Sequence, residues 1–208
     1  MTMSRQSRSQ PQYHAKTGKA VARYQIMTAY VDITGRPRIP ADGGFWTLCH
    51  FQPNVPGSEI NQMSLAGFLK KNQYFGIDHD QKIIAYNKNL HGEAHWFHGD
   101  WLDVIRQHFN IFRRAALVHF DSIFAVDGSK FSRYLASTLN MCNRPGVVVA
   151  ATALLSSPYE HRQFKPEGLL NFIDPLLRHP EKWRAYSEGC EYKTSKTRMG
   201  IFFFERLK

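Results

Sequence analysis

From Phe45 onward, apolar runs of strand length alternate with amphipathic stretches of helix length, and this alternation limits the fold more than any other feature. Strands separated by helices cannot pair as tight hairpins. They are expected to line up in parallel, with the connecting helices covering both faces of one sheet. The runs Phe45–Phe51, Gln73–Ile77, Ala94–His98, Ala115–Phe120 and Gly146–Leu154 read as strands. The stretches Glu59–Asn72, Gln81–Leu90, Trp101–Phe109 and Lys130–Met141 read as helices, long enough for right-handed crossovers. A further helix is expected from Glu167 to Leu177. Two extended segments follow, Trp183–Tyr192 and Arg198–Leu207, with only a short polar turn between them, so they must pair antiparallel. The expected class is α/β, a mostly parallel sheet of about seven strands with a C-terminal antiparallel hairpin and helices on both faces.

A chain of 208 residues, 43% of them hydrophobic, is long enough for one full core and too short for two large ones. The expected division is a basic, partly flexible N-terminal extension over residues 1–40 and an α/β domain over 41–208. Up to Arg23 the extension carries Arg5, Arg8, Lys16, Lys19 and Arg23 without an acid, and such a segment is expected to be mobile. A helix or hairpin from Val21 to Ile33 would pack outside the core. Across the whole chain, 27 Lys and Arg against 17 Asp and Glu give a net charge of +10, which favours polyanionic partners. Nucleic acid, RNA or DNA, is the expected partner, a protein partner stays open, and a merely cationic soluble surface is the plain alternative. If the loops carrying Arg113, Arg114, Lys130, Arg133, Arg162, Lys165 and Lys193 to Lys196 share a rim with Tyr134, Tyr159 and Phe164, they make a cationic, aromatic-lined approach for a strand.

Cys49, Cys142 and Cys190 lie far apart with no paired spacing, so neither a zinc ribbon nor a disulfide framework follows and a cytoplasmic location is expected. The longest apolar runs, such as Gly146 to Leu155, fall short of the roughly 20 residues needed to span a bilayer, so no membrane partner is expected. The cluster from His91 to Asp100 is rich in histidine. Strand alternation sends His95 to one face and His98 to the other, so no metal is expected there.

Candidate site residues cluster at strand ends. The second strand runs into carboxylates, Gln73-Tyr-Phe-Gly-Ile-Asp-His-Asp80, and an acid at that tip is where α/β sheets hold ribose hydroxyls. Asp78 is the ligand candidate and Asp80 the better helix cap. The third strand ends in His98-Gly-Asp-Trp101, the fourth in Asp121-Ser122, and the first in His50, Phe51 and Gln52.

This order of elements, with an acid after strand two, Gly-Asp after strand three, an acid after strand four and a terminal hairpin, resembles the Rossmann-like fold of class I S-adenosylmethionine-dependent methyltransferases. The resemblance covers Phe45 to Lys208 and rests on element order more than on a sharp motif. It implies S-adenosylmethionine as cofactor, lying across the C-terminal strand ends. His50, Phe51, Gly57, Ser58, Asp78, Asp100 and Trp101 are then the cofactor-binding candidates, with Asp100 meeting the adenine amino group and Trp101 covering the ring. Asp121 becomes the catalytic candidate, facing the acceptor.

The chain departs from that family in two places. The glycine-rich turn after the first strand is replaced by His50-Phe-Gln-Pro-Asn-Val-Pro-Gly-Ser-Glu59, in which only Gly57 is left. The spacing from Gly57 to Asp78, 78 − 57 = 21 residues, still matches the ~20 expected between a glycine turn and a ribose acid. Second, Phe120-Asp-Ser-Ile-Phe124 lacks the prolines of the family's amino-methylating enzymes. The expected function is methyl transfer to a nucleic acid. The alternative is a catalytically degenerate protein of the same fold that binds nucleic acid or a protein partner.

Overall fold

The computed structural model describes the backbone of residues 17–125, 129–155, 169, 173–193 and 198–208. In chain order the elements are α1 (Thr17–Thr34), β1 (Gly44–Leu48), α2 (Glu59–Leu65), β2 (Tyr74–Asp78), α3 (Gln81–Leu90), β3 (His95–His98), α4 (Trp101–Gln107), α5 (Phe109–Phe112), β4 (Ala115–Ala125), α6 (Ser129–Met141), β5 (Val148–Leu154), β6 (Trp183–Lys193) and β7 (Arg198–Arg206). The seven strands form one sheet in the order β3-β2-β1-β4-β5-β7-β6. All neighbouring pairs are parallel except those of β7, which runs antiparallel to both β5 and β6.

Strand alternation divides the apolar residues between two layers. Phe45, Tyr74, Leu117, Val148 and Phe203 face one side, where Ile26 and Tyr30 of α1 and Ile60 and Met63 of α2 pack on them. Trp46, Phe75, Phe120 and Val149 face the other, under Val104 of α4 and Phe131 and Leu135 of α6. Trp46 stacks on Phe75 at 4.6 Å and on Phe97 at 5.5 Å, with Phe112 edge-on at 5.2 Å.

Four expectations need correction. The segment expected to be mobile up to Arg23 is helical from Thr17, and Ala22, Arg23, Ile26 and Tyr30 are all buried, so α1 is part of the core packing. The apolar positions of α1, spaced four residues apart from Ala22, place one face against the sheet, and the basic residues interspersed among them mask that pattern. The first helix after β1 stops at Leu65 because Gly67 adopts φ +67, and Phe68 N–H reaches Met63 O while Gly67 N–H reaches Ser64 O, the paired bonds of a left-handed helix stop. β1 leaves the sheet after Leu48, three residues early. β4, by contrast, runs on to Ala125, so Asp121 lies within the strand, paired in register with Thr152 of β5. Of the helix expected over 167–177, residues 167, 168 and 170–172 lie outside the described residues, and Asp174–Leu176 is a single 3-10 turn after which Leu177 is extended. Arg162, Lys165, Tyr159, Phe164 and most of the final hairpin turn also lie outside the described residues.

Candidate active site

β1 and β4 are sheet neighbours, yet the chain leaves β1 toward β2 on one side and β4 toward β5 on the other. Such a reversal opens a crevice beyond the carboxyl ends of the two strands, the usual ligand position in open α/β sheets. A small pocket with a cavity volume of about 20 Å³, open at its mouth, lies there. Its walls are Lys19, Ala22 and Arg23 of α1, Leu48, His50 and Gln52 at and after the end of β1, Glu59 of α2, and His119 and Asp121 of β4.

The pocket is built from charges that face one another. Lys19 Nζ lies 2.7 Å from Asp121 Oδ2, and His50 Nε2 is 3.9 Å from the same oxygen. Burial alone would raise the Asp121 carboxyl, but Lys19, His119 and His50 outweigh it and hold the group well below the ordinary carboxylate range. The same surroundings act oppositely on His50: burial and then Lys19 push its imidazole down to about 4, so it is neutral at pH 7.

Glu59 opens α2 and is 5% exposed. It accepts the Tyr74 hydroxyl at 2.7 Å, and its other oxygen lies 3.6 Å from His119 Nδ1. Burial opposes its ionisation, while the nearby His119 ring and Arg23 favour it, and the balance lowers its pKa. His119 Nε2 in turn lies 2.9 Å from Thr152 Oγ1. Thr47, His119 and Asp121 share the α1 face because they are spaced two apart on adjacent parallel strands in register.

Side chains hold the loop that stands where the glycine turn was expected. The Gln52 backbone N–H donates to Asn87 Oδ1 at 2.8 Å, Asn87 Nδ2 donates to His50 O at 2.9 Å, and Gln52 Oε1 accepts the Glu59 backbone N–H at 3.0 Å. His91 Nε2 lies 3.0 Å from Gln52 O. Gln52 is 1% and Asn87 0% exposed, so a buried amide pair fixes the loop in place of backbone freedom.

Of the residues singled out in the sequence, His50 and Asp121 meet in the pocket. Gly57 is drawn to it through its carbonyl, which accepts Arg23 at 2.6 Å. Ser58 stands at the N-cap position of α2, but its hydroxyl donates to Val55 O rather than capping. Phe51 stacks on Tyr86 at 4.0 Å, away from the pocket walls. Asp78 ends β2, is 6% exposed, and accepts the Asp80 backbone N–H at 2.8 Å. Burial raises its carboxyl. Asp100 caps α4 through Leu102 N–H at 2.9 Å and accepts the Tyr134 hydroxyl at 2.8 Å. Trp101 turns inward: it is 2% exposed and its indole N–H donates to Thr138 Oγ1 at 2.8 Å, so the ring packs in the core instead of presenting a face to a ligand.

Lys19, Arg23, Glu59 and His119 also line the pocket, although the sequence does not mark them as site residues. His119 carried a signal, an imidazole inside the apolar run Ala115-Ala-Leu-Val-His-Phe120. Lys19 and Arg23 carried none, because nothing local tells a solvated cation from one that reaches a crevice about a hundred residues away in sequence. Among the described residues, no group of three or more His, Cys, Asp or Glu is placed to hold a metal ion, and no helix is long and apolar enough to cross a membrane.

No protein-family model and no curated protein matches the sequence. Solved structures do match. An O-methyltransferase from Bacillus cereus in complex with SAH superposes with a TM-score of 0.55 at 15% identity, covering 94% of this chain and 87% of that one. Fibrillarin from Aeropyrum pernix, with natively bound S-adenosyl-L-methionine, gives 0.50 at 10% identity, covering 88% and 75%. The chain has the class I methyltransferase fold. TrmN from Thermus thermophilus matches at 0.53 and 12% identity, with 87% of this chain laid over about half, 48%, of that protein. Of these neighbours, the fibrillarin holds S-adenosyl-L-methionine and the O-methyltransferase holds SAH.

Proposed function

We propose that this protein is an S-adenosylmethionine-dependent methyltransferase whose acceptor is a nucleic acid. The observation that carries the reading is Asp121, a carboxylate kept ionised although only 9% of its side chain is exposed, beside the crevice where β1 and β4 part. Carboxylates cost free energy to bury, and one held at a sheet switch point among charged neighbours marks a working site more than a structural one.

The residues present suit the cofactor. A group bearing an ammonium, a carboxylate and a sulfonium needs both signs of charge within one pocket, and Glu59, Asp121, Lys19 and Arg23 supply two of each. Asp78, whose buried carboxyl is raised, gains from hydroxyl donors, and a ribose provides two. Asp78 would hold those hydroxyls, and Glu59 would face the cationic end. When bound, the cofactor supplies an electrophilic methyl group. Asp121 accepts a hydrogen bond from the acceptor's N–H or O–H and so aims its lone pair, which is the main service an enzyme performs in an in-line displacement. Its low proton affinity suits orientation better than proton storage. The net charge of +10 supports a polyanionic acceptor.

Calorimetry with S-adenosylhomocysteine tests the reading. Binding is expected, and Asp78→Ala should weaken it by about tenfold to a hundredfold, the value of a charge-assisted hydrogen bond or two. Unchanged affinity in that variant would remove Asp78 from the site. A second reading draws on the loop filled by Gln52 and the inward Trp101, both departures from the expected donor cradle. It describes a degenerate binding module, and it predicts no heat with S-adenosylhomocysteine beside intact nucleic-acid binding.

A further inference from the structure

The carboxylate that the proposed reaction needs is covered by α1 of the same chain. Lys19 and Arg23 sit one turn apart on one face of α1, so both meet the same surface. Lys19 pairs with Asp121 at 2.7 Å, the two side chains being 13% and 9% exposed. Arg23 donates to Gly57 O at 2.6 Å and reaches Gln62 Oε1 at 3.5 Å, while Gln62 Nε2 donates back to Ala20 O at 3.2 Å. Polar contacts therefore dominate this end of α1. The other end is held by Ile26 and Tyr30, both 0% exposed in the apolar layer. A competing anion weakens contacts of the first kind and leaves the second untouched.

We propose that Lys19 is a specificity-determining residue, which withholds Asp121 until a phosphate of the acceptor takes over its ammonium group and the freed carboxylate turns to the reacting atom. One ion pair is exchanged for another with no covalent step; the site gains the phosphate's negative charge, and Asp121 exchanges the ammonium for the N–H or O–H of the acceptor. A nucleoside without phosphates leaves the pair closed, so the device selects a polyanionic acceptor before any base is read. The proposal rests on the methyltransferase reading of the same site.

His50 is the natural reporter. Its ring faces Lys19 and Arg23 from α1, Asp121 from β4 and Glu59 from α2. Lys19 depresses its protonation and Asp121 favours it. The experiment follows the His50 ring titration by NMR in the full chain and in Lys19→Met, with and without a saturating single-stranded oligonucleotide, and measures oligonucleotide affinity against salt. In the unaltered protein the oligonucleotide should raise the His50 midpoint. Lys19→Met should start at a raised midpoint, move less on binding, and show a salt slope shallower by about one phosphate contact. Lys19→Arg, which keeps the charge, should behave as the unaltered protein.

Oligonucleotide binding without movement of His50, or a full salt slope in Lys19→Met, overturns the proposal. Failure of the unaltered protein to bind the oligonucleotide at low salt overturns the proposal together with the nucleic-acid acceptor. A His50 shift in a protein that shows no heat with S-adenosylhomocysteine supports the switch while removing the methyltransferase reading.

Discussion

Trp101 and His50 illustrate how one residue type can be read two ways, and each gives a test. An indole beside a strand-tip acid suits stacking on a heterocycle, but here the ring is sealed in the core with its N–H on Thr138. Trp101→Phe keeps most of the buried area and loses that bond, so it should cost about 1–3 kcal/mol in a urea titration. Its affinity for S-adenosylhomocysteine should be unchanged, whereas a drop of tenfold or more would return the indole to the ligand site. His50 carries a pH signature. Its folded pKa, about 4, lies below the ordinary value of 6.5, so the unfolded chain binds more protons between those limits. Stability should therefore fall as pH drops through 6.5 and level off, for this group, near 4. Comparing urea midpoints at about pH 7 and about pH 5, the loss should be smaller in His50→Gln. An equal loss in both proteins would assign the pH dependence to other groups.

At the level of elements, glycine decides where α2 ends. A Cβ at Gly67 would meet nothing within 4 Å, so a substitution there feels only the left-handed backbone. Gly67→Ala should cost about 1–2 kcal/mol, the penalty of that conformation for an L-residue. At Gly76 of β2 the added carbon would sit 2.6 Å from the Trp96 ring, so Gly76→Ala should cost more and disturb the edge strand β3. Equal losses in the two denaturation curves would defeat this distinction. The periodic elements were legible because each carries its own pattern: α3 is found over Gln81–Leu90 as its spacing predicts, and the hairpin β6–β7 follows from two extended runs with a short turn between them. The stop at Gly67 was legible in principle, since a lone glycine after an amphipathic stretch is a stop signal. α1 was harder to read as core because its cations suggest solvent, and their partners, Asp121 and Gly57, lie far along the chain. For the same reason the acids Asp78, at a strand tip, and Asp121, within β4, could be named from sequence, while the Glu59–His119 pair could not: it joins a helix start to a mid-strand position, and only the fold brings them together.

On the scale of the whole molecule, sheet order and charge meet at one place. The reversal between β1 and β4 makes the crevice, α1 closes one side of it with cations, and β4 and the start of α2 opposite supply the acids Asp121 and Glu59. Within the pocket the two signs nearly cancel, so the surplus of +10 is carried by the rest of the chain. A surplus so spread should gather a polyanion through many weak phosphate contacts, each releasing a counterion from the nucleic acid. The affinity for a single-stranded oligonucleotide should then fall steeply with salt, by roughly a hundredfold between about 50 and about 200 mM if about five or six phosphates are engaged. S-adenosylhomocysteine, which brings no phosphates, should bind with little dependence on salt over the same range. Measuring both affinities by fluorescence anisotropy and calorimetry separates the surface from the pocket. An oligonucleotide affinity that is flat in salt would mean that the positive charge does not gather the acceptor, and the substrate would then have to be sought among small or uncharged molecules.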